Sequence, residues 1–346
     1  MSRAGRDSAR IGGQRGATVG GVLNPELDVL VIGAGVSGLT TAVCLAEAGL
    51  GVAIRADRPP EETTSSVAGA IWGPHLVERS ERVIRWSTET LAVLTGLAGD
   101  PATGVRMASG VEATRGPGEF PHWGHVLGNL SPADPAGLPD GFIAGWRYTA
   151  PVAFMPVYLQ YLLARFRQAG GQVHTAEVTS LAEVARGTAA RAIVNCAGIG
   201  ARDLVPDPAV SPVRGQVVVA ANPGITEFFI GPSDSTAELI YLFPHGDVVL
   251  LGGTEQPGNW SLDPDPQTAQ RIVRDCASIH PGVRTARILA HRVGLRPVRP
   301  RVRLESETLG AGQIVVHNYG HGGAGITLSW GCAREVAGLI RTGRAP

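Results

Sequence analysis

The sequence contains no lysine. All 30 of its basic residues are arginine, and 30 acidic residues balance them to a formal net charge of zero. The absence excludes a Schiff-base nucleophile, a phosphate-loop lysine and a lysine general base. Scattered arginines at zero net charge leave no electrostatic footprint for a nucleic acid or an anionic membrane. Cysteine is scarce too. Cys44, Cys196, Cys276 and Cys332 stand far apart in apolar or helical surroundings, so they read as reduced core residues, with no CxxC metal or redox pair. No apolar run reaches the roughly 18 residues that a membrane span needs. Residues 1–24 are rich in Gly, Arg and Ser without an apolar core, which predicts a disordered extension and no secretory signal. The C-terminal Arg-Ala-Pro is not a peroxisomal address.

Glycine, by contrast, is abundant, with 47 in 346 residues, and three of these glycines organise the chain. The run DVLVIG at 28–33 reads as a strand, AGVSG at 34–38 as a tight turn, and LTTAVCLAEAG at 39–49 as a helix. In that geometry Gly33 permits the turn, Gly35 lets backbone approach a pyrophosphate, and Gly38 lets helix and strand pack. The helix start meanwhile presents free N–H groups to an anion. A lone GxGxxG is weak evidence in a glycine-rich chain, but here a second strand, GVAIRAD at 51–57, follows the helix. Asp57 stands near the distance from the turn where an acid reaches a ribose hydroxyl, while Arg55 occupies the strand-end position that often carries the acid.

The hydroxyl-rich stretch from Thr63 and Thr64 into small residues Ala68, Gly69, Ala70 and Ile71 predicts a loop that lies against a flat ligand. Its plain alternative is a connection capping the next helix. Residues 78–96 and 156–169 have helical spacing. Between them, at 99–151, periodicity fades and short strands are expected, marking the start of an inserted second domain. His122 and His125 lack a third ligand at matching spacing, so they read as loop histidines. The pattern returns to strand, helix, strand from 173 to 198, placing Cys196, Ala197 and Gly198 where a cofactor crosses the ends of parallel strands. Runs at 215–220, 239–246 and 248–253 alternate as an antiparallel sheet, followed by a helix at 264–279. The buried run QIVVHNY at 313–319 leads into glycines 320, 322, 323 and 325 and a final helix to about residue 341.

Two glycine turns at helix starts, at opposite ends of the chain, suit one long ligand with two polar ends. A helix start can stabilise the negative charge that an isoalloxazine ring gains on reduction, a need NAD does not have, so the pattern favours FAD. The fold class predicted is α/β with an α+β second domain. A Rossmann-like FAD-binding domain (25–80, 151–205 and 285–346) is interleaved with an antiparallel-sheet substrate domain (81–150 and 206–284).

Four stretches together resemble the D-amino-acid oxidase family, which includes the D-aspartate oxidases. They are VIGAGVSGL at 31–39 with ADR at 56–58, residues 63–72, GLRPVRP at 294–300 with VRLE at 302–305, and HNYGHGGAGIT at 317–327. The likeness runs from residue 28 to 340. It implies non-covalent FAD, and oxidation of a D-amino acid to an imino acid that hydrolyses to a 2-oxo acid and ammonia. It also implies hydride transfer from Cα to the flavin without a side-chain base, and return of the electrons to O₂ as H₂O₂.

The resemblance gives Arg296 the substrate carboxylate, Tyr241 a supporting hydroxyl, and Gly323 a backbone carbonyl for the amine. It places FAD against Gly33, Ala34, Gly35, Val36, Ser37, Gly38, Asp57 and Arg58. Thr63, Thr64, Ala68, Gly69, Ala70, Ile71, Val178, Cys196, Ala197 and Gly198 follow, then Arg296, Gly322, Gly323, Ala324, Gly325, Ile326 and Thr327. No acid or base residue and no metal is implied at the reacting carbon. Ala237 stands where some members carry a lid tyrosine, so the lid at 230–238 should differ. Ala324 stands where bulkier residues occur, and His75 leaves acidic substrates open.

The leading expectation is oxidation of neutral D-amino acids. D-aspartate or D-glutamate oxidation is the alternative, settled by whether a second cation faces a distal carboxylate. A glycine or sarcosine-type amine oxidase is more distant, and a non-enzymatic FAD sensor is the option outside catalysis. The expected partners are a D-amino acid and O₂, with no nucleic acid and no membrane. The resemblance is compatible with a homodimer, and the Ala, Gly and Arg-rich composition points to a bacterial cytoplasm.

Overall fold

The strand Val29–Ile32 buries every residue, with Val29 and Val31 in one hydrophobic cluster and Leu30 and Ile32 in another. A strand apolar on both faces needs cover above and below, which a parallel sheet between helices provides. The computed structural model, which describes residues 27–233, 236, 238–309 and 312–342, has that arrangement. Val29–Ile32 pairs in parallel with Val52–Ala56 on one side and Ala192–Asn195 on the other. Gln172–Thr175 and Gln313–His321 extend the parallel layer at its two ends. Helices Val36–Glu47, Glu81–Leu97, Met155–Gln168 and Gly325–Thr342 form one layer over it, where the indole N–H of Trp330 donates to the Tyr158 hydroxyl at 2.8 Å. Leu181 and Val184 of the helix Leu181–Gly187 cover the opposite face.

The remaining strands are largely antiparallel. Ser211–Ala221, Val248–Gly252, Leu239–His245 and Phe228–Pro232 lie in that order, and the helix Pro266–Ile279 packs Ala269, Ile272 and Cys276 on their inner face. Val105–Thr114 then joins Phe228–Pro232 in parallel and pairs with Ala144–Ala153 over ten residues. Short strands were expected here. Gly110 and Gly145 interrupt the apolar alternation because neighbouring strands press on them: a Cβ on Gly110 would stand 2.1 Å from the Phe228 carbonyl oxygen.

One strand, Ile288–Leu309, belongs to both regions. Its residues 288–298 pair with Ser211–Ala221 and its residues 303–309 with Gln313–His321. The register shifts between 298 and 303, where Pro300 has no N–H to offer a ladder. The described residues thus form one continuous 14-stranded sheet. The expected boundary after residue 150 falls inside Ala144–Ala153, so the two regions share backbone there as well.

Two helices start later than their periodicity implies, because side chains cap them further along. Ser80 Oγ accepts from the N–H of Val83 at 3.3 Å, so that helix begins at Glu81, and Asp265 accepts from Thr268 at 2.9 Å ahead of Pro266. The four cysteines are free, and burial pushes the Cys44 and Cys196 thiols up to about 12, which leaves them unreactive. His122 and His125 are exposed, and no group of metal-binding side chains occurs among the described residues. Among those residues no helix is long and apolar enough to cross a membrane. The predicted N-terminal extension and Ala237 of the predicted lid lie outside the described residues.

Candidate active site

Open α/β sheets bind ligands beyond the carboxyl ends of their strands. A cavity of about 710 Å³ lies there, bounded by Ile32, Ala56, Ala176 and Cys196 at four strand ends. The turn that opens it is built on close approaches. Gly33 has φ of 103°, which favours glycine, and a Cβ on it would stand 2.4 Å from the Cys196 carbonyl oxygen. A Cβ on Gly38 would stand 2.0 Å from the carbonyl oxygen of Gly33, so helix and turn touch backbone to backbone. The helix start is capped from outside the turn: Ser65 Oγ accepts from the N–H of Val36 at 3.0 Å.

Both glycine turns open into this one cavity. Gly33, Ala34, Gly35, Val36 and Ser37 line it from the first, and Gly322, Gly323, Gly325 and Ile326 from the second. Thr63, Thr64, Ala68, Gly69, Ala70 and Ile71 supply a further wall, and Val178, Ala197 and Gly198 line the cavity just beyond the strand ends. Asp57 and Arg58 line it too, bound to each other at 2.6 Å. Three predicted residues stand behind the wall instead. Gly38 and Ala324 are packed in the core, and the Thr327 hydroxyl donates to the Gly73 carbonyl at 2.9 Å and accepts from its N–H at 3.1 Å. Thr327 therefore fastens the segment 67–75 to the last helix. Ala70 and Leu76, which flank residues 71–75, have φ of 56° and 51°, a conformation unusual for residues with a side chain.

At the other end of the cavity the sheet holds Arg296 and Tyr241 against glycines. The Arg296 guanidinium lies flat on Gly215, where a Cβ would stand 2.6 Å from Nη1, and Nη1 donates to the Thr254 carbonyl at 2.9 Å. Among the described residues no carboxylate forms an ion pair with it. The Tyr241 ring rests on Gly252 and Gly253 and stacks on Phe243 with centroids 4.8 Å apart. Burial pushes the Tyr241 hydroxyl up to about 12, against the pull of the Arg296 charge, so it remains a hydrogen-bond donor at neutral pH. Gly323 donates its N–H to the His75 carbonyl at 3.1 Å and lies under the His75 ring.

The profile of the family described as FAD dependent oxidoreductase matches residues 28–339. The chain belongs to that family. A D-amino-acid oxidase of Rubrobacter xylanophilus is 49% identical over 90% of this chain and 94% of its own length. One from Streptomyces coelicolor is 46% identical over 90% of this chain and 96% of its own. A glycine oxidase from Geobacillus kaustophilus superposes with a TM-score of 0.77 over 92% of this chain and 95% of its own, at 18% identity, which speaks for the fold alone.

The residues present fit the FAD of this family of FAD-dependent oxidoreductases. Gly33 and Gly35 line the cavity without side chains, which lets a diphosphate approach the backbone, and the cavity receives two helix starts. Beside the last helix start, burial holds His321 down at about 4 and therefore neutral, with a ring nitrogen 3.0 Å from Asn318 Oδ1.

Three features of the site escaped the sequence reading. Ser65 was grouped with its neighbours as a loop hydroxyl, although its cap of Val36 makes it part of the turn. Glu255 lines the cavity and accepts from His75 Nε2 at 3.0 Å. That hydrogen bond is the largest influence holding the Glu255 carboxyl below its usual range, outweighing burial, with the Arg296 charge adding to it. Glu112 also lines the cavity and accepts from the Tyr148 hydroxyl at 3.0 Å; burial, the dominant cause, pushes its carboxyl up. Neither glutamate has a local motif, since each owes its position to strands distant in sequence.

Proposed function

We propose that this FAD-dependent oxidoreductase oxidatively deaminates D-amino acids, and that its preferred substrates carry neutral side chains. Membership of the family and relatives at 49% and 46% identity support the activity. The observation that carries the substrate reading is the single cavity that joins two helix starts to Arg296 and Tyr241.

In this reading Arg296 grips the α-carboxylate with two parallel charge-assisted hydrogen bonds, a geometry that its planar guanidinium allows and an ammonium does not. The Tyr241 hydroxyl donates a further bond to the same group. The Gly323 carbonyl accepts from the amine and orients it without adding a charge, which favours the neutral amine. FAD, when bound, supplies the two-electron acceptor and passes the electrons to O₂ as H₂O₂. The imino acid then hydrolyses to a 2-oxo acid and NH₃. With no acid or base assigned at the reacting carbon, the protein contributes orientation and electrostatics.

His75 and an arginine of the lid region are the candidates to face a distal carboxylate, and the pairing of His75 with Glu255 supports neutral over acidic substrates. A cytoplasmic bacterial enzyme fits the composition, and a homodimer rests on family likeness alone.

The test is anaerobic mixing of the yellow protein with a panel of D-amino acids while flavin absorbance is followed. Bleaching by D-alanine, D-methionine or D-valine and not by their L-enantiomers supports the proposal. Bleaching by D-aspartate alone would favour the acidic alternative, and bleaching by N-methylglycine but not D-alanine the sarcosine-type one. Bound FAD with no O₂ consumption would leave a sensor.

A further inference from the structure

His75 and Glu255 belong to distant segments, one following Trp72 and the other following the strand Val248–Gly252, and they meet inside the substrate end of the cavity at 3.0 Å. Each is tied by its backbone to a residue assigned to the substrate. The His75 carbonyl receives the Gly323 N–H, and Glu255 follows Thr254, whose carbonyl receives Arg296. The pair is 39% and 28% exposed, so it stands at the wet rim of the site and not in its floor. The Glu255 backbone is held in turn, its N–H donating to Glu238 Oε1 at 2.9 Å, and Glu238 is bound to Arg271 at 2.6 Å. The carboxylate is thus braced from behind and aimed at the imidazole.

We propose that Glu255 is the residue that excludes acidic substrates: it occupies the His75 imidazole that a distal carboxylate would otherwise reach, and its removal hands His75 over to that carboxylate. This deepens the reading of the site given above and rests on it. The charges that face His75 from the elements around it are Glu255, Glu112 and, through Glu255, Arg296. A second carboxylate on the substrate therefore meets two glutamates and an imidazole already in use. A neutral or cationic distal end meets no such opposition, because Glu255 keeps its partner and no charge of like sign is added.

The experiment measures calorimetric binding of three unreactive carboxylates of equal chain length to the flavin-loaded full-length enzyme. Hexanoate, 6-aminohexanoate and hexanedioate each have six carbons, the sixth being a methyl, a methylene bearing an ammonium, or a carboxylate. Wild type should bind hexanedioate at least about tenfold more weakly than the other two. In Glu255→Gln the hexanedioate to hexanoate ratio should recover by about tenfold, and in the double variant His75→Gln/Glu255→Gln that recovery should vanish. Anaerobic bleaching by D-glutamate relative to D-norleucine should follow the same order. Flavin absorbance and a thermal melt of each variant establish that it is folded and loaded.

A wild type indifferent to the distal group, a ratio unchanged in Glu255→Gln, or a recovery that survives loss of His75 would each overturn the inference. Failure of hexanoate itself to bind, with no D-amino acid bleaching the flavin, would instead sink the underlying reading of the site and take the inference with it.

Discussion

Gly215→Ala isolates positioning from charge. Gly215 sits in the strand Ser211–Ala221 on ordinary extended backbone, so the strand itself accepts alanine. The new Cβ would stand 2.6 Å from Arg296 Nη1 and 2.8 Å from Cζ and Nη2. Ordinary contact lies near 3.5 Å, so the guanidinium must retreat by about 1 Å. The atoms that move are the far end of a flexible side chain, so the cost in stability should be below about 1 kcal/mol. The cost in binding is larger. Two parallel bonds to a carboxylate cannot both survive such a shift, and losing one charge-assisted bond is worth about 1.5–3 kcal/mol. The expected result is a fall of roughly 10- to 100-fold in kcat/KM for D-alanine with melting temperature and flavin content unchanged. Steady-state oxygen consumption and a thermal melt on the same preparation measure the two effects. A kcat/KM within about threefold of wild type would refute the reasoning, because it would mean that Arg296 does not work from this position.

Arg296→Lys keeps the charge but loses the fork, and should cost roughly a hundredfold in kcat/KM, mostly through KM if the group binds ground and transition states alike. Gly38→Ala places a Cβ 2.0 Å from the Gly33 carbonyl oxygen, where neither partner can yield; the variant should lose about 3 kcal/mol or more and purify with little FAD, read from the ratio of flavin to protein absorbance. His321 is held neutral at about 4 in the fold, while an unfolded histidine titrates near 6.5. The unfolded state therefore binds the extra proton first, and stability should fall as pH drops from about 6.5 towards 4, by up to about 1.4 kcal/mol per pH unit from this residue. Denaturation midpoints of wild type and His321→Gln between pH 7 and 5 test this, and equal slopes in the two proteins would count against it.

The parallel half of the fold was legible because its signals are local. Val29–Ile32, the glycine turn and the helix Val36–Glu47 lie within twenty residues of one another, and Gly38 answers a contact inside that unit. The last glycine turn was legible for the same reason. Arg296 and Tyr241 were found only through the family motifs around them; nothing in an isolated arginine or tyrosine marks a site. What escaped was whatever depends on pairing across the sheet. Gly215 and Gly252 look like breaks in strands, yet they are the floors on which Arg296 and Tyr241 lie. Glu255 and Glu112 look like surface charges, and only the approach of segments about 180 and 36 residues away turns them into cavity wall. The family likeness places Thr327 against the cofactor, and its hydroxyl is bonded to Gly73, a contact between segments that only the fold brings together.

The strand Ile288–Leu309 exchanges one partner for the other along a single run of backbone, and Arg296 sits near the exchange. A beam of this kind leaves no loop between the antiparallel region and the parallel one. On the reading of the site proposed above, the spacing between its two ends is then set when the protein folds. The same beam ties the two regions into one cooperative unit, so heat should melt them together in a single calorimetric transition.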